Sequence, residues 1–288
     1  MPRSLNKMKD SRNANVSVVI LTKNSARSLQ PCLKSVRRQR PGEIIAVDDL
    51  STDMTRPILK RYNVRVIEDS SGSLGHMRNT GVLAARRPLV MFVDSDIVLT
   101  ENCLATMLRD LKRNGWAGVQ ATIRSSENLS YWQRSMDEHF SLWGNRVGPV
   151  QHIGTGASLF ERGILLKYRF DDNFRNASED GDLSRRLGAS HQVGISAAVA
   201  YHRHRRELSE FARQFFGFGV GNARIALKYK SIKVLADPIK SGMVEIIYSV
   251  VTRRTRLVPY YCVREVAKLA GLVVGVRNIR GHLQRRVT

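Results

Sequence analysis

The sequence predicts a doubly wound α/β domain with a mostly parallel sheet, followed by a basic and mainly helical carboxyl-terminal region. Three observations lead there. Short apolar, β-branched runs recur through the first third of the chain and alternate with stretches of helical spacing. Acidic residues stand directly after two of those runs. Positive charge gathers toward the end: Tyr201 to Thr288 holds 18 Lys and Arg against 5 Asp and Glu, which is +13 of the net +22.

The elements read in order as follows. Val16–Leu21 (VSVVIL) is a strand buried on both faces. Ser25–Arg40 is a helix with Leu29, Leu33 and Val36 on one side, stopped by Pro41-Gly42. Glu43–Val47 is a second strand, Ser51–Tyr62 a second helix and Val64–Ile67 a third strand. A Gly/Ser loop, Ser70–Gly75, leads into a helix over Met77–Ala85, and Leu89–Val93 is a fourth strand. This alternation implies parallel pairing with right-handed crossovers. In such sheets ligands bind beyond the carboxyl ends of the strands, so the residues there are the ones that matter.

Length and composition bound the rest. A chain of 288 residues with 42% hydrophobic content can bury a large core. Cys32, Cys103 and Cys262 are odd in number and far apart, which argues against a disulfide framework or a zinc cluster and favours a reducing cytosol. The first residues, MPRSLNKMKDSRNAN, are basic and polar with no apolar run behind them, so residues 1–14 are expected to form a flexible tail rather than a secretory signal. Residues 15–206 are expected to form the catalytic domain and 207–288 the basic helical region.

Two acid clusters end up on one rim of the expected sheet. Asp48-Asp49 follow the second strand, and Asp94-Ser95-Asp96 follow the fourth. Residues two apart in extended chain point the same way, so Asp94 and Asp96 can face one ion. Hard divalent cations take oxygen ligands and commonly bridge one or two carboxylates to phosphates. Aspartates after strands also serve as turn residues and helix caps, and Asp53 is expected to cap the helix behind it.

The segments VSVVILTKN, EIIAVDDLSTDMT and GHMRNTGVLAARRPLVMFVDSDI together resemble the opening pattern of the inverting family 2 glycosyltransferases of the GT-A fold. The resemblance covers about Val16 to Ile97. It implies that Thr22 and Asn24 sit near the nucleotide, that Asp49 binds the base, and that Asp94, next to Ser95, lies at the ribose side. It places Asp96, with Asp94, at a Mn²⁺ or Mg²⁺ ion and lets Arg78 approach the diphosphate. The departures are Lys23, where the family usually has an aromatic residue, and Leu50, where it has glycine; a leucine restricts the turn to negative φ more than glycine would.

A second block, NASEDGDLSRRLG, places acids in the first turn of a helix whose buried stripe is Leu183 and Leu187. It resembles the family's E-D-x-D-L-x-x-R-L motif. By that resemblance Asp180 is the catalytic base, with Glu179 and Asp182 shaping the acceptor end. Clustered acids push a carboxylate's pKa upward, which suits a base. The loop Gly154-Thr155-Gly156-Ala157-Ser158 permits close approach of backbone to a sugar, and Gly156 is assigned to the acceptor side. Trp132 and Trp143 are candidates for stacking on sugar, weighed against core positions. The strand Val193–Ala200 delivers His202 and His204; the resemblance assigns His202 to the metal or diphosphate.

Past Glu207 the text becomes aromatic, glycine-broken and basic. Its apolar stretches are too short and too interrupted for confident spans, and their flanking arginines suit helices lying in the interface of an anionic bilayer. The expected partners are therefore a nucleotide-diphosphate sugar, an acceptor glycan or polyprenyl or other lipid-linked acceptor, and an anionic membrane surface, at the cytoplasmic face. The competing readings are a sugar-nucleotide nucleotidyltransferase, for which TKNSARSL is a poor loop, and a basic nucleic-acid-binding protein. Charge alone motivates the latter, and no nucleic acid is expected.

Overall fold

The structure, a computed structural model, describes residues 13–125, 130–175, 177–231 and 233–284; the expected tail lies almost wholly outside them. The chain divides into two compact units. Among the described residues the first takes in 13–125, 140–175 and 180–203, and the second 130–139, 177–179 and 204–284.

The first unit is built on a sheet. In chain order its elements are β1 (Val16–Thr22), α1 (Ala26–Arg38), β2 (Glu43–Asp48), α2 (Thr55–Arg61), β3 (Arg65–Glu68), α3 (Leu74–Ala84), β4 (Leu89–Val93), β5 (Ile97–Leu99), α4 (Cys103–Asn114) and β6 (Gly118–Ser125). After α5 (Tyr131–His139), which belongs to the second unit, come β7 (Gly148–Val150), β8 (Ala157–Glu161), α6 (Arg162–Tyr168), α7 (Glu179–Leu187) and β9 (Val193–His202). Among the described residues nine strands form one sheet in the order β3-β2-β1-β4-β8-β6-β9-β5, with β7 beside β9.

Pairing directions decide what shares a rim. β1, β2, β3 and β4 are mutually parallel. β8 is antiparallel to both β4 and β6, so β6 runs with β4, and β9 runs parallel to β6. Six of nine strands thus point one way, with β5, β7 and β8 reversed. The ends of β2, β4 and β9 and the entrance to β8 consequently lie along one edge.

Helices cover both faces, as a strand buried on both sides requires. Val16, Val18 and Ile20 of β1 pack with Leu29 and Leu33 of α1 and Leu104 and Met107 of α4. Val19 faces the other way, into a core with Met77 and Val82 of α3 and Phe92 and Phe160. Gly81 makes that second face possible: a Cβ there would come 2.4 Å from Val19 Cγ1.

The expected elements are present with shifted ends. The second helix starts at Thr55 rather than Ser51, because Asp48 and Asp53 take up the amides of Ser51 and Thr55 and hold the intervening residues as a turn. The third starts at Leu74, its cap Ser73 accepting from the His76 amide. Strands β5 to β8 were not foreseen. β5 and β7 are three residues each, and β6 carries polar Gln120, Thr122 and Arg124, so none announces itself as an apolar run.

The second unit is helical: α5, α8 (Leu208–Lys228), α9 (Lys233–Val251) and α10 (Val258–Gln284). Phe211, Phe215, Tyr260 and Tyr261 are buried at its centre, and Trp132 stacks on Phe211, so Trp132 serves the core. α8 and α10 meet closely: Cβ atoms on Gly219 and Gly271 would fall 2.0 Å from the carbonyls of Lys268 and Phe216. Arg264 is buried and paired with Glu245. Among the described residues no helix is long and apolar enough to cross a membrane.

Candidate active site

The turn after β2 is organised by Asp48, which is fully buried. Its carboxylate accepts from Thr22 Oγ1 (2.8 Å), Ser51 Oγ (2.6 Å) and the Ser51 amide (3.0 Å), and pairs with Arg56 Nε at 3.1 Å. These donors hold the Asp48 carboxyl below the usual carboxylate range in spite of its burial. Thr22 is 2% exposed with its hydroxyl donated to Asp48, so its side chain braces the turn.

Asp49 is the member of the pair that faces outward, and Lys23 Nζ sits 2.6 Å from its Oδ2. Asn24 takes a left-handed φ of 48°, which asparagine tolerates, and its Oδ1 accepts the Thr52 amide at 2.9 Å. Leu50 also adopts a left-handed φ, 47°. The leucine did not force the turn out of the shape a glycine would take; it occupies that shape with strain. Asp53 accepts from the amides of Ala26 and Thr55, serving the starts of two helices.

The turn after β4 carries the second cluster. Asp94 donates its amide to Gly156 O at 2.7 Å, tying the end of β4 to the loop that enters β8. Ser95 Oγ donates to Ser25 Oγ at 2.9 Å, linking this turn to the start of α1. Arg78 is buried, its Nη2 3.8 Å from Asp94 Oδ1 and its guanidinium near the rings of Phe92 and Phe170. Partial desolvation raises the Asp94 carboxyl above its ordinary value, though 41% of the side chain stays exposed, with Asp96 and Asp180 adding to the rise against Arg78 and His202.

Asp96 meets His202 because β5 and β9 pair antiparallel with Ile97 opposite His202. Asp96 Oδ1 lies 3.2 Å from His202 Nε2, and the Asp96 carbonyl accepts from the Arg203 amide at 3.0 Å. His204 is buried and belongs to the second unit. Among the described residues no three His, Cys, Asp or Glu side chains form a ready-made metal cage. The Asp96–His202 pair, with Asp94 two residues before it, sets oxygen and nitrogen atoms of the kind divalent cations take at one turn.

Asp180 opens α7, and its Oδ1 accepts the Gly181 amide at 2.7 Å. The loop before β8 runs along both acids. A Cβ on Gly154 would lie 3.5 Å from Asp180 Oδ2, and one on Gly156 3.2 Å from Asp94 Oδ2. Gln120 Oε1 accepts the Gly154 amide at 2.6 Å and fixes that loop. Asp182 departs from its acceptor-side assignment. It is fully buried, and its carboxylate accepts from Arg186 Nε at 2.9 Å, while Arg186 also reaches the carbonyls of Tyr168 and Arg169. It anchors the helix. Glu179 is likewise buried, 3% exposed and counted with the second unit, so its side chain offers little surface to an acceptor.

Sequence reasoning passed over two residues here. Lys23 registered only as a departure from pattern, and Gln120 not at all. The signal for Gln120 was one amide side chain between Val119 and Ala121, both buried.

The family model described as "Glycosyl transferase family 2" matches residues 17–169. The chain is 35% identical over 98 residues to the poly(ribitol-phosphate) beta-N-acetylglucosaminyltransferase TarS of Staphylococcus aureus, covering 31% of this chain and 17% of TarS. It is 36% identical over 110 residues to a poly(ribitol-phosphate) beta-glucosyltransferase of Bacillus spizizenii, covering 34% of this chain and 17% of that protein. The chain thus matches less than a fifth of the length of either relative. Residues 1–349 of TarS, solved in complex with UDP-GlcNAc, superpose with a TM-score of 0.52 at 16% identity, covering 93% of this chain and 92% of that one. At that identity the likeness shows the fold.

Proposed function

The chain belongs to glycosyl transferase family 2, and on that premise we propose that it transfers a sugar, with inversion, from a nucleotide-diphosphate sugar to an acceptor in cell-surface glycan synthesis. The observation that carries the reading is the grouping on one rim of Asp96 with His202 at 3.2 Å, Asp94 with Arg78 at 3.8 Å, and a Gly154–Gly156 loop that lies against both Asp94 and Asp180.

In this reading Asp49 accepts from the nucleobase, and Asp94 receives the ribose side of the donor. Asp96 and His202, with Asp94, would hold a Mn²⁺ or Mg²⁺ ion, which supplies positive charge for the departing diphosphate. Arg78 adds fixed positive charge to the same side. Asp180 takes the proton from the acceptor hydroxyl, whose oxygen then attacks the anomeric carbon as the bond to diphosphate breaks. One carboxylate suffices for a single displacement. The glycine backbone of Gly154 and Gly156 leaves room beside the two acids for the sugar and acceptor.

The donor is proposed to be a UDP-sugar and the acceptor a polymeric or lipid-linked glycan, because relatives are named for poly(ribitol-phosphate) glycosylation and the superposed TarS structure holds UDP-GlcNAc. Action at the cytoplasmic face of a membrane fits the basic helical unit. The test is a screen of UDP-, GDP- and dTDP-sugars for thermal stabilisation with and without Mn²⁺, followed by turnover. Asp180→Asn should abolish transfer while leaving donor-induced stabilisation in place. Normal turnover by that variant overturns the assignment.

A further inference from the structure

The second unit carries a surface that the transfer chemistry does not use. On α9, Met243, Val244, Ile247, Val250 and Val251 are 54% to 75% exposed. Their spacing places all five on one stripe of the helix. The opposite face is occupied: Glu245 pairs with Arg264, and Ser249 Oγ donates to Glu245 O at 2.7 Å. Isolated exposed aliphatics are ordinary, but five in a continuous stripe mark a surface meant to be covered.

The charges around the stripe say by what. Lys240 is exposed on the same stripe about one turn before Met243, and Arg253 is exposed just past its other end. Arg254 and Arg256 follow, sharing Glu138 between them, so one positive charge remains there. Glu245, the acid within 240–256, is turned inward. An apolar strip with cations at both ends matches an anionic bilayer, whose acyl boundary takes the aliphatics while its headgroups take the cations. The strip is about 12 Å long, at 1.5 Å per residue, and suits a helix lying along the surface. A second copy of a chain with a net charge of +22 would meet repulsion, and nucleic acid would leave the valines in water.

We propose that this face of α9 docks in the interface of an anionic membrane, the helix axis in the membrane plane. The inference deepens the peripheral placement proposed above, but its test is independent of sugar transfer.

The full chain would be sedimented with phosphatidylcholine vesicles with and without phosphatidylglycerol. Binding is expected only with the anionic lipid, and Ile247→Glu with Val251→Glu should lower partitioning on the order of tenfold or more. Lys240→Glu with Arg253→Glu should weaken binding and flatten its salt dependence. Ile247→Ser with Val251→Ser, a milder pair, should give the same direction with an unchanged melting temperature. Wild-type partitioning by the stripe variants overturns the proposal. So does a wild-type dimer that those substitutions dissociate without any vesicle binding. Donor-induced stabilisation, measured in parallel, reports on the glycosyltransferase reading alone.

Discussion

His202 Nε2 lies 3.2 Å from Asp96 Oδ1, brought there by the antiparallel register that sets Ile97 opposite His202. The pair joins the turn after β4 to the end of β9 and leaves an imidazole and a carboxylate on the rim where a diphosphate is proposed to bind. Asp96→Ala and His202→Ala should each remove the Mn²⁺-dependent part of donor-induced stabilisation. Activity should fall by about 10²-fold or more for Asp96 and less for His202, since a carboxylate contributes charge as well as a ligand atom. Isothermal titration of Mn²⁺ with UDP present checks this.

Gly154 and Gly156 differ in how much room a methyl group would find. At Gly154 a Cβ would sit at ordinary contact distance, 3.5 Å from Asp180 Oδ2; at Gly156 it would press to 3.1 Å from Ile97 Cδ1. Gly154→Ala should leave the melting temperature unchanged and cut kcat/KM roughly tenfold by filling space at the base. Gly156→Ala should lower both. Steady-state kinetics beside thermal melts separates the two.

The raised Asp94 carboxyl carries a stability signature. Its folded value lies above the unfolded one of about 3.9. The native state is therefore penalised once the group ionises, and the penalty is absent below the unfolded value. With 41% of the side chain exposed, solvent screens much of that penalty, so Asp94→Asn should melt only slightly higher than wild type at pH 7, converge with it near pH 4 by about the unfolded pKa, and bind nucleotide more weakly. Melting curves across that range decide it.

In the helical unit, burial and the nearby Arg264 and Lys268 lower His139 to about 3. The unfolded chain then binds a proton that the native state refuses between about 6.5 and that value. Stability should fall as pH drops below about 6.5, by up to about 1.4 kcal/mol per pH unit from this group. His139→Gln should flatten that slope in urea unfolding measured at several pH values.

Leu50 holds φ at 47° with half its side chain exposed. Leu50→Gly relieves a left-handed strain of about 1–2 kcal/mol but adds about 0.5–1 kcal/mol of unfolded-state entropy. A small net stabilisation is expected. Leu50→Val, branched at Cβ, should destabilise. Denaturant titration of the three proteins checks the order.

Much of the site was visible in the text because its acids follow strands that announce themselves. Ile44–Val47 and Leu89–Val93 are continuous apolar runs, and the acids that follow them fall on the rim. What the text did not give was orientation: the Thr22 hydroxyl and the Asp182 carboxylate are engaged with protein partners, Asp48 and Arg186. Burial of a polar side chain depends on what packs over it, which spacing along the chain does not report. Arg78 shows the same limit: its place on a helix said nothing of the enclosure it has near Phe92 and Phe170.

Local patterning determined the alternation of strands and helices, the basic helical region, and which aspartates end which strands, since side-chain period and turn chemistry act over a few residues. Only the tertiary structure decided that β8 runs antiparallel beside β4, that Gly154 and Gly156 lie against Asp180 and Asp94, and that His202 faces Asp96. Those meetings depend on strand order and register between distant segments. The same local periodicity is compatible with many such orders, and packing of both sheet faces selects one.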